Sequence, residues 1–460
     1  MKYISTRGQS EPRTFVEAVK EGLARDGGLL VPEIIPDFSN DLDRLSTLCY
    51  QDLADEIFKP FIDGEIPSDR VRKLIAKSYS TFGSAEITPL IYQGKLAVLE
   101  LFHGPTLAFK DIALQFLGNL FEEILKKDGG RLNILGATSG DTGSAAIHGV
   151  RGKSNIHIFM IHPQGKVSPI QEKQMTTVLD ANVHNVAIKG TFDDAQRAVK
   201  EVFNDLDFRD AYQLGAVNSI NWARVMAQIV YYFYAAFIYR KRFGVQSVSF
   251  SVPTGNFGDI YAGYLAKKMG LPIDRLILAT NENDILYRTI KTGTYKISDV
   301  HATLSPSMDI QIASNFERFV FDISGRDGNI IQSKMNDLAQ NGEFSLSEDE
   351  ARQTREYFLE ARVDSAKTLA TMKKYKASGI ELDPHTAVGV AAAEDSGIEN
   401  VIALATAHPA KFGDAVKKAT GSNPEFPTSL KGILEKESRC QVVENDYKFV
   451  EAIIEQTLTS

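Results

Sequence analysis

Lys110 is surrounded in the chain by apolar side chains: Leu107, Ala108 and Phe109 precede it, and Ile112, Ala113 and Leu114 follow Asp111. Burial in such company strips an ammonium ion of its hydration and lowers its pKa, which is what a Schiff-base lysine requires. The same residues equally describe a lysine at a helix start that covers apolar surface with its stem. Two further stretches could do chemistry. The loops Gly136 to Gly143 and Pro253 to Gly258 each follow a strand-like run and precede a helical one, where backbone N–H groups and a helix N-terminus attract anions. A tight turn that needs positive φ accounts for their glycines as well. Neither loop is a nucleotide fingerprint: Gly136, Gly140 and Gly143 do not make G-x-G-x-x-G, and Gly104 to Lys110 lacks the glycine that precedes the lysine of a P-loop. His103 and His408 read as packed histidines, since no His-x-x-x-His or paired Cys/His spacing accompanies them.

Seven motifs, taken in order, resemble one family. They are Tyr3 to Gly8, His103-Gly104-Pro105-Thr106-Leu107-Ala108-Phe109-Lys110-Asp111, Gly136-Ala137-Thr138-Ser139-Gly140-Asp141-Thr142-Gly143, Asn218 to Arg224, Gly255-Asn256-Phe257-Gly258-Asp259, Ser314 to Arg318, and Ala405 to Phe412. The second resembles the cofactor-lysine signature of the pyridoxal-phosphate (PLP) enzymes of the threonine synthase and serine/threonine dehydratase group. The whole set, spread over almost the entire chain, resembles threonine synthase.

The resemblance implies a fold-type II PLP enzyme of class α/β, with Lys110 as the catalytic and cofactor-bonded lysine. It implies that Gly255, Asn256, Phe257, Gly258 and Asp259 cradle the PLP phosphate, with Asp259 capping the helix that follows. Thr406 resembles the hydroxyl that faces the pyridine nitrogen; an ordinary strand-end threonine would look the same. Thr138, Ser139, Gly140, Asp141 and Thr142 lie where related enzymes bind the substrate α-carboxylate. The chain departs from the pattern there: Asp141 stands where many relatives carry an asparagine that contacts the cofactor's phenolic oxygen, and a carboxylate donates such a bond only when protonated. The implied reaction takes O-phospho-L-homoserine and water to L-threonine and phosphate. Cations for the leaving phosphate are sought in Lys166, Arg224 and Arg7, in falling order, and Arg7 also reads as a surface arginine. A related phospho-lyase or serine/threonine dehydratase is the near alternative; a nucleotide-binding regulator or kinase is the distant one.

Bulk properties narrow the classes. A chain of 460 residues with 43% hydrophobic and 24% charged content is globular and long enough for two or three lobes. A net charge of −8 argues against a nucleic-acid partner, whose phosphates need a basic face. Cys49 and Cys440 cannot build a disulfide framework, which fits a reducing compartment, the cytoplasm. The N-terminus lacks the apolar core of a secretory signal, and Ile229 to Tyr239 is too short to span a bilayer and reads as a buried helix. No membrane partner is expected, and a monomer or homodimer is left open.

Strand-like and helical runs alternate from Leu96 onward, which implies parallel sheets covered on both faces. Four segments are expected: a helical N-terminal cap over 1–95, a smaller α/β lobe over 96–215 with the lysine and substrate loop, a larger lobe over 216–430 with the phosphate loop, and a closing strand and helix over 431–460. Asp111 is expected to cap a helix from Ile112 to Leu125, and Thr191 to Asp194 to form a capping box with aspartate in the place of glutamate. The region 305–322 reads as a loop, and 347–376 as a solvent-facing helix.

Overall fold

The computed structural model describes residues 1–459. They divide into two compact units: the larger holds Met1–Ala76, Phe82–His103 and Ser219–Pro424, the smaller Lys77–Thr81, Gly104–Asn218 and the chain from Glu425 on. These divisions differ from breaks at 95, 215 and 430, for reasons of strand pairing. Leu96–Glu100 lies against Val401–Ala405, with Ile402 opposite Ala97, so it belongs to the larger unit and not to the one that carries Lys110.

The larger unit is built on a six-stranded sheet in the order Phe358–Arg362, Ile273–Thr280, Val248–Pro253, Val401–Ala405, Leu96–Glu100, Leu90–Gln93. All neighbours are parallel except the last pair. Val401–Ala405 is buried at every residue, as its unbroken apolar run requires of a parallel strand with both faces covered. Helix Trp222–Phe243 crosses this unit buried on nearly all sides and stops at Gly244, whose left-handed backbone donates to Arg240 O. No helix among the described residues is long and apolar enough to cross a membrane. The N-terminal segment packs on helix Trp222–Phe243 through aromatic contacts: Tyr3, from strand Tyr3–Ser5, and Phe61, from helix Tyr50–Ile62, both lie against Trp222, at 5.8 and 5.5 Å between centroids.

Two expectations for this unit are corrected. Residues 305–322 contain a short 3-10 turn, Pro306–Met308, and a helix, Phe316–Ile323, whose charged Glu317 and Arg318 are buried. The stretch 347–376 is not one helix: Glu348–Tyr357 and Ser365–Ala377 flank the edge strand Phe358–Arg362, which pairs with Ile273–Thr280. Helical periodicity does not reveal a five-residue strand between two helices, because that strand is recruited by an edge far away in sequence.

The smaller unit carries an all-parallel sheet in the order Gln441–Val443, Val183–Ile188, Ile156–Pro163, Leu132–Ala137, Leu214–Gly215. The C-terminal strand adds to its edge, and helix Tyr447–Thr459 buries Val450 and Ile454 against Leu135 and Phe159. The Thr191 and Asp194 capping box is present, opening helix Phe192–Asn204. Helix Lys110–Asp128 and helix Asp141–Val150 touch backbone to backbone: a Cβ on Gly118 would lie 2.1 Å from Gly149 O. Only glycine permits that approach, and it packs the middle of the lysine helix against the last turn of its neighbour.

Candidate active site

In the smaller unit Lys110 is the first helical residue, following a loop in which Leu107 adopts a left-handed φ of 61°. That loop is held from within the helix. Asp111 does not cap the helix. Its carboxylate accepts from the Thr106 amide and hydroxyl, both at 2.8 Å, and from Gln115 Nε2 at 3.2 Å. The carboxylate turns back onto the loop because the helix starts at Lys110, two residues earlier than the apolar periodicity suggests. Gln174 Nε2 takes the Thr106 carbonyl at 2.9 Å, closing the loop from the other side.

The Lys110 side chain is 13% exposed, with Nζ 3.9 Å from Asp141 Oδ2 and 5.7 Å from the Phe109 ring centre. Asp141 begins the neighbouring helix and is buried; its other oxygen accepts from Gln171 Nε2 at 2.8 Å. So the carboxylate that replaces the expected asparagine faces the lysine, held by a glutamine that the sequence reading missed. Gln171 shows only as a polar residue in a short helix, and nothing in its spacing signals that contact. Thr138 has a supporting part: its hydroxyl oxygen accepts from the amides of Gly140 and Gly143, both at 2.9 Å. Gly140 is buried, Ser139 is exposed and Thr142 half-buried, so these two hydroxyls are the loop's accessible polar groups. Lys166 is exposed on the turn that follows strand Ile156–Pro163.

In the larger unit the chain leaves strand Val248–Pro253 and turns through Gly255 and Asn256 into helix Gly258–Lys268. A Cβ on Gly255 would stand 2.9 Å from Ser307 O, so a side chain does not fit there. Phe257 has a left-handed φ of 67°, a strained backbone for a residue with a side chain, at a cost of about 1–3 kcal/mol. Its buried ring packs on Phe316, Phe358 and Phe319, at 5.1, 5.4 and 5.8 Å, and burial of a phenyl ring contributes about 1.5–3 kcal/mol. The two magnitudes match, so the aromatic cluster sustains the turn. Asn256 Oδ1 accepts from the Gly258 amide at 3.1 Å, and Asn256 O accepts from the Asn315 amide at 3.0 Å.

Asp259 does not cap this helix. Its Oδ1 accepts from the hydroxyls of Tyr231 and Tyr232, and its buried Oδ2 has no partner among the described residues. Burial pushes its pKa up to about 6, against the opposing pull of the two phenols. Position explains the difference: Asp259 is the second residue of the helix, so its side chain points back into the core of the unit and not along the axis.

Of the three cations considered, Arg224 stands apart. It is buried in the first turn of helix Trp222–Phe243, where the macrodipole disfavours a positive charge, and its Nη1 has no partner among the described residues. Burial draws its pKa down to about 10, and no carboxylate offsets that. Arg7 is no surface arginine: its guanidinium pairs with Glu317, Nη2 to Oε2 at 3.0 Å and Nε to Oε1 at 3.2 Å. Thr406, buried at the end of strand Val401–Ala405, donates its amide to Thr386 Oγ1 at 3.2 Å. His103 bonds Glu100 at 2.8 Å, and His408 accepts from the Ala410 amide at 3.1 Å, so both histidines have structural partners.

The residues present suit PLP by their chemistry: a part-buried primary amine for its aldehyde, a helix-starting turn without room for a side chain for its phosphate, and a neutral hydroxyl for its ring nitrogen. Comparison with known proteins agrees. Residues 2–79 match the model for the threonine synthase N terminus, 86–340 that for pyridoxal-phosphate dependent enzymes, and 386–454 that for the threonine synthase C-terminal region. A threonine synthase of Pseudomonas aeruginosa is 47% identical, with 99% of this chain and 98% of that protein covered, and that of Saccharomyces cerevisiae is 46% identical, with 99% and 98% covered. Among solved structures, PLP-bound threonine synthase from Brucella melitensis superposes with a TM-score of 0.96 at 46% identity, covering all of both chains, and the Escherichia coli threonine synthase with 0.84 at 33% identity, covering 99% and 100%. The chain belongs to the threonine synthase family of pyridoxal-phosphate-dependent enzymes.

Proposed function

We propose that this chain converts O-phospho-L-homoserine and water to L-threonine and phosphate, with PLP bonded to Lys110 and its phosphate on the Gly255–Asp259 turn. The observation that carries the substrate assignment is Arg224, a buried guanidinium with an unpaired Nη1 at a helix N-terminus. Leaving a buried charge without a partner costs several kcal/mol, and a phosphate monoester removes that cost by taking two parallel N–H bonds from a guanidinium. Arg224 therefore replaces Lys166 as the first candidate, and Arg7, already held by Glu317, stays last.

Bound PLP supplies an aldehyde for amine condensation and a ring that takes up the electron pair left at Cα when its proton departs. Lys110, once displaced by the substrate amine, removes the proton from Cα, gives it up to become a free amine again, and then removes one from Cβ as phosphate departs from Cγ with the bonding pair; water adds its hydroxyl at Cβ, and protons return to Cγ and Cα. Asp141 Oδ2 lies 3.9 Å from Nζ, facing the amine that carries each proton between steps. Ser139 and Thr142 offer hydroxyls to the substrate carboxylate, and Thr138 keeps their loop in shape. Arg224 binds the phosphate before it leaves and stabilises its charge afterwards. The free thiols of Cys49 and Cys440 agree with action in a reducing compartment such as the cytoplasm.

The test combines labelling with product analysis. Borohydride reduction is expected to fix the cofactor on Lys110, and Lys110→Ala is expected to keep its fold while threonine formation falls by about three orders of magnitude or more. Label on another residue, or substantial threonine from the pure variant, refutes the role. A dehydratase would release ketoacid from threonine, and a simple phospho-lyase would release phosphate without forming threonine.

A further inference from the structure

Behind two of the cofactor anchors lies a buried chain of side chains, Asp383, His385 and Thr386, that the reading above leaves without a part in the reaction. Asp383 caps helix Pro384–Asp395, accepting from the amides of His385 at 2.9 Å and Thr386 at 3.2 Å. A capping aspartate needs no more than this. Here each carboxylate oxygen also meets a side chain: His385 Nδ1 lies 2.8 Å from Oδ1, and the Thr386 hydroxyl donates to Oδ2.

The far ends of the chain fix the direction of every hydrogen. The Ser307 amide donates to His385 Nε2 at 3.2 Å, so that nitrogen carries the lone pair and the imidazole proton sits on Nδ1, directed at Asp383. The single hydroxyl hydrogen of Thr386 goes to Asp383, so its oxygen is the acceptor for the Thr406 amide at 3.2 Å. One carboxylate thus orders two backbone positions far apart in sequence. One is Ser307, whose carbonyl stands 2.9 Å from where Gly255 would carry a Cβ. The other is Thr406.

We propose that Asp383 is a positioning residue for PLP, acting through His385 on the segment packed against Gly255 and through Thr386 on the backbone that aims the Thr406 hydroxyl. The proposal rests on the assignment of the Gly255 turn and Thr406 as cofactor anchors. Only a carboxylate satisfies both arms, because it accepts on both oxygens; an asparagine offers one accepting oxygen and an NH2, so one arm then faces a donor with a donor. Either the imidazole changes tautomer and loses the Ser307 amide, or the Thr386 hydroxyl turns its hydrogen away and shares its oxygen between the new NH2 and the Thr406 amide, losing the donor bond that anchors it. In both cases one anchor loosens while the apolar packing stays.

Wild type, Asp383→Asn, Thr386→Val and Thr386→Ser are prepared free of cofactor and titrated with PLP, their folding checked by circular dichroism. Asp383→Asn is expected to raise the PLP dissociation constant about tenfold or more, and Thr386→Val about fivefold, while Thr386→Ser, which keeps the hydroxyl, stays within about twofold. In the cofactor-free protein the Thr406 amide is expected to exchange its hydrogen faster in Thr386→Val than in Thr386→Ser, a readout independent of the reaction. Folded Asp383→Asn and Thr386→Val proteins that bind PLP as tightly as wild type overturn the proposal. If Asp383→Asn does not fold, the Thr386→Val and Thr386→Ser pair decides: a difference in PLP affinity supports the chain, and equal affinities refute it. Wild type that binds no PLP on Lys110 would instead bring down the anchor assignment, and this inference with it.

Discussion

Arg224 and Arg318 are two buried guanidiniums of the larger unit, each drawn down to a pKa of about 10 by loss of hydration. They differ in what surrounds them. Arg318 donates from Nε and Nη2 to Leu30 O at 3.3 and 3.0 Å, from Nη2 to Ile220 O, and from Nη1 to Asn315 Oδ1, and it lies 6.0 Å over the Trp222 ring. Arg224 has burial without such company, and its Nη1 is left open. A cation wrapped in carbonyls is architecture: Arg318 ties strand Leu30–Pro32 to the loop before helix Trp222–Phe243. A cation left open at the same depth bears a desolvation cost that an anion would remove, which is the contrast the proposed role of Arg224 rests on.

The largest effect expected from this contrast is on Arg318. Replacement by leucine leaves two buried carbonyls and the Asn315 amide without their partner, and it is expected to lower the unfolding free energy by about 3–5 kcal/mol, read from urea midpoints. An unchanged midpoint would erase the contrast by showing that the satisfied arginine is dispensable.

The acidic member of the same unit sharpens the contrast, because Asp259 also has a buried atom without a partner. Its pKa rises from the usual 3.8 to about 6 on folding. The native state then holds the proton more tightly than the unfolded chain does. The stability it contributes is complete below pH 3.8 and is lost as the pH rises through 6, about 3 kcal/mol over that window. Asp259→Asn keeps an acceptor for Tyr231 and Tyr232 and titrates nowhere in the range. The variant is expected to lack this loss between pH 4 and 7, and parallel pH–stability curves for the two proteins would mean that the carboxylate ionises without penalty.

The smallest change in free energy, and the most specific, is expected at Arg224. Its replacement by leucine should leave stability unchanged or raise it by up to about 2 kcal/mol, because a buried unpaired charge is removed. The same change should lower kcat/KM for O-phospho-L-homoserine about 30- to 100-fold, while binding of an uncharged homoserine analogue shifts little. Inorganic phosphate should raise the melting temperature of wild type and not of this variant. Equal losses for both ligands, with no phosphate effect on wild type, would place Arg224 beside Arg318 as a structural residue.

The alternation of buried strands and helices was legible because periodicity and apolar runs are local, and so were the capping box at Thr191 and the order of the family motifs. The neighbours of Lys110 and the place of Gly255 between a strand and a helix marked both as candidates, whereas the cofactor roles proposed for them come from the family resemblance. What the sequence left open was decided by pairings across long stretches of chain. Leu96–Glu100 finds its sheet beside Val401–Ala405, and the C-terminal strand finds Val183–Ile188. Asp111 and Asp259 both read as helix caps, and both carboxylates point elsewhere, because the caps fall two residues earlier, at Phe109 and Phe257, and each helical residue turns a side chain by about 100°. Arg224 moved ahead of Lys166 among the proposed phosphate ligands, with Arg7 still last, for a related reason. Charge and residue type are properties of the chain, whereas whether a buried cation has a partner depends on Glu317 reaching Arg7 and no carboxylate reaching Arg224, which only the packed tertiary structure determines.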